Sequence, residues 1–321
     1  MLRLLRANRN LGNTTGLAGR RHRDVASYVS TTVLWDTRIS GRMNLLEFTA
    51  LVAVGSFVAG LLGSLTGLGG GVVLVPLLTL FFKVDIRYAI GASLVSVIAT
   101  SSGAAAAYVK EGFSNIRIGM FLEIATTIGA LAGAFLAAII PLSALAVIFG
   151  LTLLYSAFLS RKPRPKSQRH LPPDPTATKL KLNGSFPDPE EGLRSYNVQR
   201  VPAGFGLMFG AGALSGLLGI GSGAVKVLAM DQAMKIPFKV STTTSNFMIG
   251  VTAAASAGVY LARGYIDPGL AMPVMLGVLA GSTLGTRILI QAETKWLRLI
   301  FSVVIGVLGA EMLYKGLAGR F

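Results

Sequence analysis

Lys226 and Glu123 each stand inside an otherwise apolar run, and the first question is what chemistry a charge could do there. Lys226 follows Gly223 by three positions. An ionisable group at such a depth is costly and functional by default. Its ammonium could balance the charge of a bound anion. The other readings are snorkelling to the interface and pairing with Asp231. Asp231 lies five positions on, a poor helical spacing, and is better set for Lys235. Glu123 could carry a coupling proton. It lies six positions after Arg117, so an interfacial place is its other reading.

Glycine-rich stretches stand beside these charges. The first runs Gly60-Leu-Leu-Gly63-Ser-Leu-Thr66-Gly67-Leu-Gly69-Gly70-Gly71 and continues to Pro76. The second runs Gly212-Ala-Leu-Ser215-Gly216-Leu-Leu-Gly219-Ile-Gly221-Ser222-Gly223 and continues to Lys226. They lie 152 residues apart (Gly223 against Gly71), and the offset carries on through Ser93 and Ser245, Tyr108 and Tyr260, Gly112 and Gly264, Gly129 and Gly281, and Gly133 and Gly285. Each glycine costs a helix about 1 kcal/mol against alanine. The clusters Gly67, Gly69, Gly70, Gly71 and Gly219, Gly221, Gly223, with Ser222 between the last two, should therefore break a helix. Broken backbone at membrane depth has to line protein or a wet cavity. A helix starting after the break points free N–H groups there, which suits an anion. A matched pair of breaks is the sequence mark of a transport site. Gly60, Gly63, Gly212 and Gly216 read instead as close helix packing.

Hydroxyl and amide residues follow each break. Ser93, Ser96, Thr100, Ser101 and Ser102 stud one segment, and Ser241-Thr-Thr-Thr-Ser245-Asn246 opens its counterpart. Ser241 suits a helix cap. Thr244, Ser245 and Asn246 lie deeper, where they bind either an oxyanion or a neighbouring helix. Enzyme signatures are missing: there is no HExxH, no GxSxG and no paired carboxylate motif within a segment. Cysteine is absent, and the histidines are His22 and His170, both in polar segments. No cofactor and no metal site is expected.

The elements that must position these groups are membrane helices. Of 321 residues, 52% are hydrophobic and 14% charged, against about 25% charged in a soluble domain. With several apolar runs near spanning length, the fold class is an all-α polytopic membrane protein. The net charge of +16 is concentrated. Residues 1–43 hold eight Arg against Asp24 and Asp36, and residues 161–200 hold nine Lys and Arg against four acids. Basic segments of this kind flank membrane spans and set their orientation, so no nucleic-acid partner is expected.

Four regions result: a basic extension over 1–43, a transmembrane repeat over 44–160, a Pro-rich basic linker over 161–200, and a second repeat over 201–321. Residues 1–42 fit an organellar presequence, a start upstream of the true one at Met43, or a cytosolic tail. Each repeat holds about five apolar segments, one of them short. An odd count of crossings makes the repeats inverted, and an even count makes them parallel; the inverted reading is the one taken. The linker is placed in the cytoplasm by its positive charge. Within it, the alternating Lys179–Phe186 stretch with Asn183-Gly184 predicts a small hairpin.

These residues resemble the TauE/SafE family of sulfite-exporter-like membrane transporters over about Leu45–Leu317. The likeness rests on Gly67-Leu-Gly69-Gly70-Gly71 with Pro76, on Gly219-Ile-Gly221-Ser222-Gly223 with Val225-Lys226-Val227, and on Thr244-Ser245-Asn246-Phe-Met-Ile-Gly-Val-Thr. Gly264-Tyr-Ile-Asp267 and Leu276-Gly-Val-Leu-Ala-Gly281 extend it. Two departures stand out: Ser222 where the family usually has glycine, and Leu228, aligned with Pro76, where it usually has proline. The second break should then be the less sharp. The resemblance implies transport of small anions, with sulfite, sulfoacetate and related sulfur or organic acids as the range. The expectation is a secondary transporter, exporting by alternating access about the two breaks, in the cell membrane or, with a presequence, an organellar inner membrane. A passive anion channel, an intramembrane enzyme using Lys226 and Asp231, and a membrane-protein assembly factor are the other classes. Its expected partners are a small anion and the lipid bilayer.

Overall fold

The computed structural model describes residues 44–66, 70–110, 114–161, 174–188, 192–291 and 294–319. The basic extension, the 162–173 stretch, and Gly67 and Gly69 of the first glycine cluster lie outside these residues. The first helix, α1, is Leu45–Thr66. A short α2 (Gly71–Pro76) runs on as a π-helical turn, Leu77–Phe81. Then come α3 (Ile86–Lys110), α4 (Ile116–Ile139) and α5 (Leu142–Arg161). Past a small polar segment, α7 (Val201–Leu218) is followed by α8 (Gly223–Leu228) and its own π-helical turn, Ala229–Ala233. Last are α9 (Phe238–Ala262), α10 (Pro268–Gln291) and α11 (Thr294–Leu317).

Five of these helices, α1, α4, α7, α9 and α10, are long and apolar enough to cross a membrane. The apolar parts of α3 and α5 are shorter, Ile86–Ser102 and Leu142–Phe158. On α4 the row Met120, Ile124 and Ile128 faces outward while Leu122, Ala125 and Gly129 are buried. A helix that is apolar on both faces has lipid for a solvent. The chain is a multi-pass integral membrane protein.

Element bounds recur at the sequence offset. The pairs α2 and α8, α3 and α9, α4 and α10, and the two π-helical turns each start and end 152 residues apart. Each π-helical turn is closed by a lysine of positive φ, Lys83 at 57° and Lys235 at 56°. Beyond them the Val84 N–H donates to Leu78 O at 3.1 Å, and the Ile236 N–H donates to Met230 O at 3.0 Å. The α-to-π junctions match in the two halves, although one carries Pro76 and the other Leu228. The backbone before the α-to-π junction is helical in both, with φ −61° at Pro76 and −63° at Leu228. Leucine reaches that conformation as readily as proline, so the missing proline leaves this junction unchanged.

The helices pack across the halves. α1 lies along α10, α4 along α7, α5 along α11, and α3 along α9. Glycines set the first two contacts. A Cβ built at Gly129 would fall inside the van der Waals shell of Phe209 O, and one at Gly281 inside that of Phe57 O. Gly212 and Gly60 stand equally close to Thr126 O and Val278 O. Small residues let membrane helices approach backbone to backbone, where van der Waals packing takes the place of the hydrophobic effect.

The polar segment between the halves holds α6 (Pro175–Lys179) and an antiparallel pair, β1 (Gly184–Asp188) and β2 (Gly192–Tyr196). The hairpin forms one element later than the sequence predicts. Asp174 caps a helix whose first residue is Pro175, with its carboxylate accepting from the Thr176 and Ala177 N–H groups. A cap followed by proline at the first position is a strong helix start, so Lys179 ends a helix. Asn183-Gly184 enters β1, and the Asn183 side chain accepts from the Val198 N–H at 2.9 Å. Ala177, Leu182, Phe186 and Val198 are buried in one cluster with Ile118, Met208, Met230 and Ile236. The segment is thus docked on the helices.

If backbone approach holds the pairs together, Gly129→Ala and Gly281→Ala each lower stability by about 1–3 kcal/mol, the usual cost of overpacking. Denaturation of the detergent-solubilised protein reads this. Two unaffected variants would show that the helices can part at no cost.

Candidate functional site

The second glycine stretch builds the site. Gly219 ends α7 with φ 67° and Gly221 follows at 68°, while Ser222 takes φ 43° in front of α8. These left-handed residues separate α7 from α8. Serine in that conformation costs about 1 kcal/mol that glycine escapes. Ser222 offsets the cost with a hydrogen bond, its Oγ donating to Ala211 O at 2.6 Å.

Gly71, the last glycine of the first cluster, meets the second break. Ser93 Oγ on α3 donates to Gly219 O at 2.7 Å. A Cβ at Gly71 would crowd both of those atoms. On the other side Ser245 Oγ on α9 donates to Gly223 O at 3.4 Å. Gly221 packs against Ile249 and Val97, and Gly70 against Val278 and Gly60. The Gly219 carbonyl, left outside the helix, is thus taken up by a buried hydroxyl, as a dry interior requires.

Three turns of different helices then bring two charges together. Lys226 on α8 is fully buried, so it does not snorkel. Its Nζ donates to Thr252 Oγ1 on α9 at 2.5 Å. Thr252 Oγ1 donates in turn to Glu123 Oε1 on α4 at 2.7 Å, with Met248 O as a second acceptor at 2.8 Å. Thr127 Oγ1 adds a bond to Glu123 Oε1 at 3.2 Å. Glu123 is 8% exposed, and its Oε2 is buried with no hydrogen-bond partner. One threonine hydroxyl therefore bridges a buried ammonium and a buried carboxylate, and one carboxylate oxygen remains open.

The other sequence candidates fall outside this bridge. Thr244 Oγ1 accepts from the Asn115 N–H at 3.1 Å, at the start of α4. Asn115 in turn donates from Nδ2 to Leu182 O and Tyr196 Oη, tying the docked segment to that helix end. Burial, opposed by the Asn115 hydrogen bond, raises the Tyr196 hydroxyl above its ordinary pKa. Asn246 is half-buried on α9. Among the described residues no cluster of His, Cys, Asp or Glu could hold a metal. Thr252 was not singled out from the sequence. It lies on one face of α9 with Ser241, Ser245 and Ser256, all buried, and helical periodicity carried past Asn246 points to it.

Comparison with known proteins matches residues 52–312 to the family model described as Sulfite exporter TauE/SafE. The chain is 29% identical over 282 residues to "Probable membrane transporter protein YunE" of Bacillus subtilis, covering 85% of this chain and 99% of that protein. It is 28% identical over 284 residues to "Probable membrane transporter protein MJ0441" of Methanocaldococcus jannaschii, covering 84% and 96%. No solved structure matches the chain.

Two outcomes follow from this geometry. Lys226→Met and Glu123→Gln each destabilise by about 3 kcal/mol, because each strands a buried partner. The double variant falls short of the sum by about 1–3 kcal/mol; strict additivity in a denaturation cycle would mean that the two groups do not sense each other. Ser222→Gly leaves stability nearly unchanged, whereas Ser222→Ala keeps the strain and loses the bond, at about 1 kcal/mol. Equal melting temperatures for the two variants would contradict this.

Proposed function

The chain belongs to the sulfite exporter TauE/SafE family, and on that premise we propose that this membrane transporter moves small anions by alternating access about its two glycine breaks. Sulfite, sulfoacetate and related sulfur or organic acids are the substrates that the resemblance suggests, and export is the physiological direction taken. The two halves are read as homologous repeats of opposite orientation. The matched element bounds and the exchange of contacts between α1–α10 and α7–α4 support that reading. The chain is read as a carrier with no catalytic role, resident in the cell membrane; its relatives in a bacterium and an archaeon support that residence.

One observation carries the anion reading. Lys226 is a fully buried ammonium three residues beyond a broken helix. A buried charge is retained where it has work to do, and a cation at a break suits an anionic substrate. Ser93, Ser245 and the glycines Gly67, Gly69, Gly70, Gly71, Gly219, Gly221 and Gly223, with Ser222, form the proposed frame of the site. Gly67 and Gly69 lie outside the described residues. Thr244 and Asn246 are proposed at its rim.

Radiolabelled sulfite flux into proteoliposomes tests this, with other small anions as competitors. Wild type shows saturable flux, and Lys226→Ala loses about 100-fold or more, the scale of a lost buried charge contact. Flux unchanged in the variant removes Lys226 from the site. No flux of any anion under any imposed gradient overturns the anion reading itself.

A further inference from the structure

We propose that Lys226, Thr252 and Glu123 form one coupling device, in which protonation of Glu123 releases the charge of Lys226 for the anion, so that anion and proton travel together. The inference rests on the anion-transport reading above and adds the coupling ion and its order of action.

Charge balance carries it. With Glu123 ionised, the ammonium of Lys226 is already neutralised through Thr252. An anion arriving there would place two negative charges on one buried cation, in a medium where like charges repel strongly. With Glu123 protonated, the anion takes the place of the carboxylate and the site stays neutral. The loaded site holds the lysine's positive charge against the anion's negative one, and the empty site holds the same lysine against Glu123.

The hydrogen bonds allow both states. Thr252 has one hydroxyl proton and two acceptors, Glu123 Oε1 and Met248 O. When Glu123 is ionised, that proton serves the carboxylate. When Glu123 is protonated, the proton can turn to Met248 O, and Thr252 still accepts from Lys226. Glu123 Oε2, buried and without a partner, is the oxygen that gains the proton. It then has a hydrogen to give to the anion. An orphaned polar atom on a side chain 8% exposed, beside a buried ammonium, points to a ligand contact.

Among the described residues no other titratable group faces the bridge. On α4, Arg117 is exposed and donates to Lys181 O. On α9, Lys239 is exposed at the start, and Tyr260 donates to Gly216 O. Arg263, just beyond the end of α9, donates to Phe135 O. The α7 helix carries no titratable side chain. Asp231 lies in the turn after α8, half-buried, while the Lys226 ammonium faces Thr252.

Binding of proton and anion is then linked, and each strengthens the other equally. For a monovalent anion the cycle moves no net charge, so a membrane potential does not drive it; export runs down the anion's own outward gradient and carries protons out with it. Calorimetry on the full-length protein in detergent, in buffers of different ionisation enthalpy, counts the protons taken up. Methanesulfonate is the probe because it stays ionised, so any proton taken up belongs to the protein. Wild type takes up one proton per anion, and its affinity falls about tenfold per pH unit once Glu123 is ionised in the free protein. Glu123→Gln takes up none and its affinity is flat with pH. If that variant fails to fold, Thr252→Val also shows a reduced proton count, while Thr252→Ser keeps the wild-type count.

Wild type that binds methanesulfonate without a proton overturns the coupling, as does a Glu123→Gln variant that still takes one up. Absence of binding at every pH at which the protein is folded overturns it too, since a released ammonium accepts any sulfonate. These outcomes are separate from the flux assay: saturable sulfite flux with no proton uptake on binding keeps the transporter and discards the coupling.

Discussion

Backbone that leaves the helix inside a membrane must find its hydrogen bonds within the protein. Much of the centre of this molecule answers that demand. The break at Gly219, Gly221 and Ser222 leaves backbone groups outside any helix. Ser93 takes the Gly219 carbonyl, Ser222 ties itself to Ala211, and Ser245 reaches Gly223. These hydroxyls are short, so α3 and α9 must come close enough to deliver them. Close approach in turn restricts the facing positions to small residues such as Gly71. The serines first read as anion contacts thus have a structural duty at the second break.

The second constraint is charge. An isolated ammonium in this interior would be very costly, and the structure answers with a carboxylate from another helix and a threonine between them. Such a pair contributes little net stability compared with apolar residues of the same volume. Its persistence in a chain with so few buried charges fits a role in transport better than a role in folding. The geometry also makes the three groups interdependent, since none of them can change its protonation or its rotamer without altering the hydrogen bonding of the other two.

Much of this was legible in the sequence, and the reasons are specific. Glycine clusters break helices by local backbone physics, so the ends of α7 and the starts of α2 and α8 could be read directly. The offset between the halves survives because it is a matter of register. Lys226 and Glu123 were visible because charge inside an apolar run is rare. Their partnership was not visible: they are on different helices, and only packing of α4 and α8 about α9 joins them. Thr252 was passed over because a threonine in a membrane helix is unremarkable by itself. The hairpin was displaced because the cap at Asp174 and Pro175 outweighs the alternation that follows. The left-handed backbone of Ser222 is not legible from its residue type, and its hydrogen bond to Ala211 depends on packing.

The close contacts between α1 and α10 and between α4 and α7 have a mechanical consequence. Each contact joins a helix from one half of the sequence to a helix from the other, with glycines against backbone carbonyls and no side chain between to act as a bearing. Surfaces that interlock so closely do not slide. Parting the two halves of the chain would break both contacts. A movement that keeps these contacts intact carries α1 with α10 and α4 with α7.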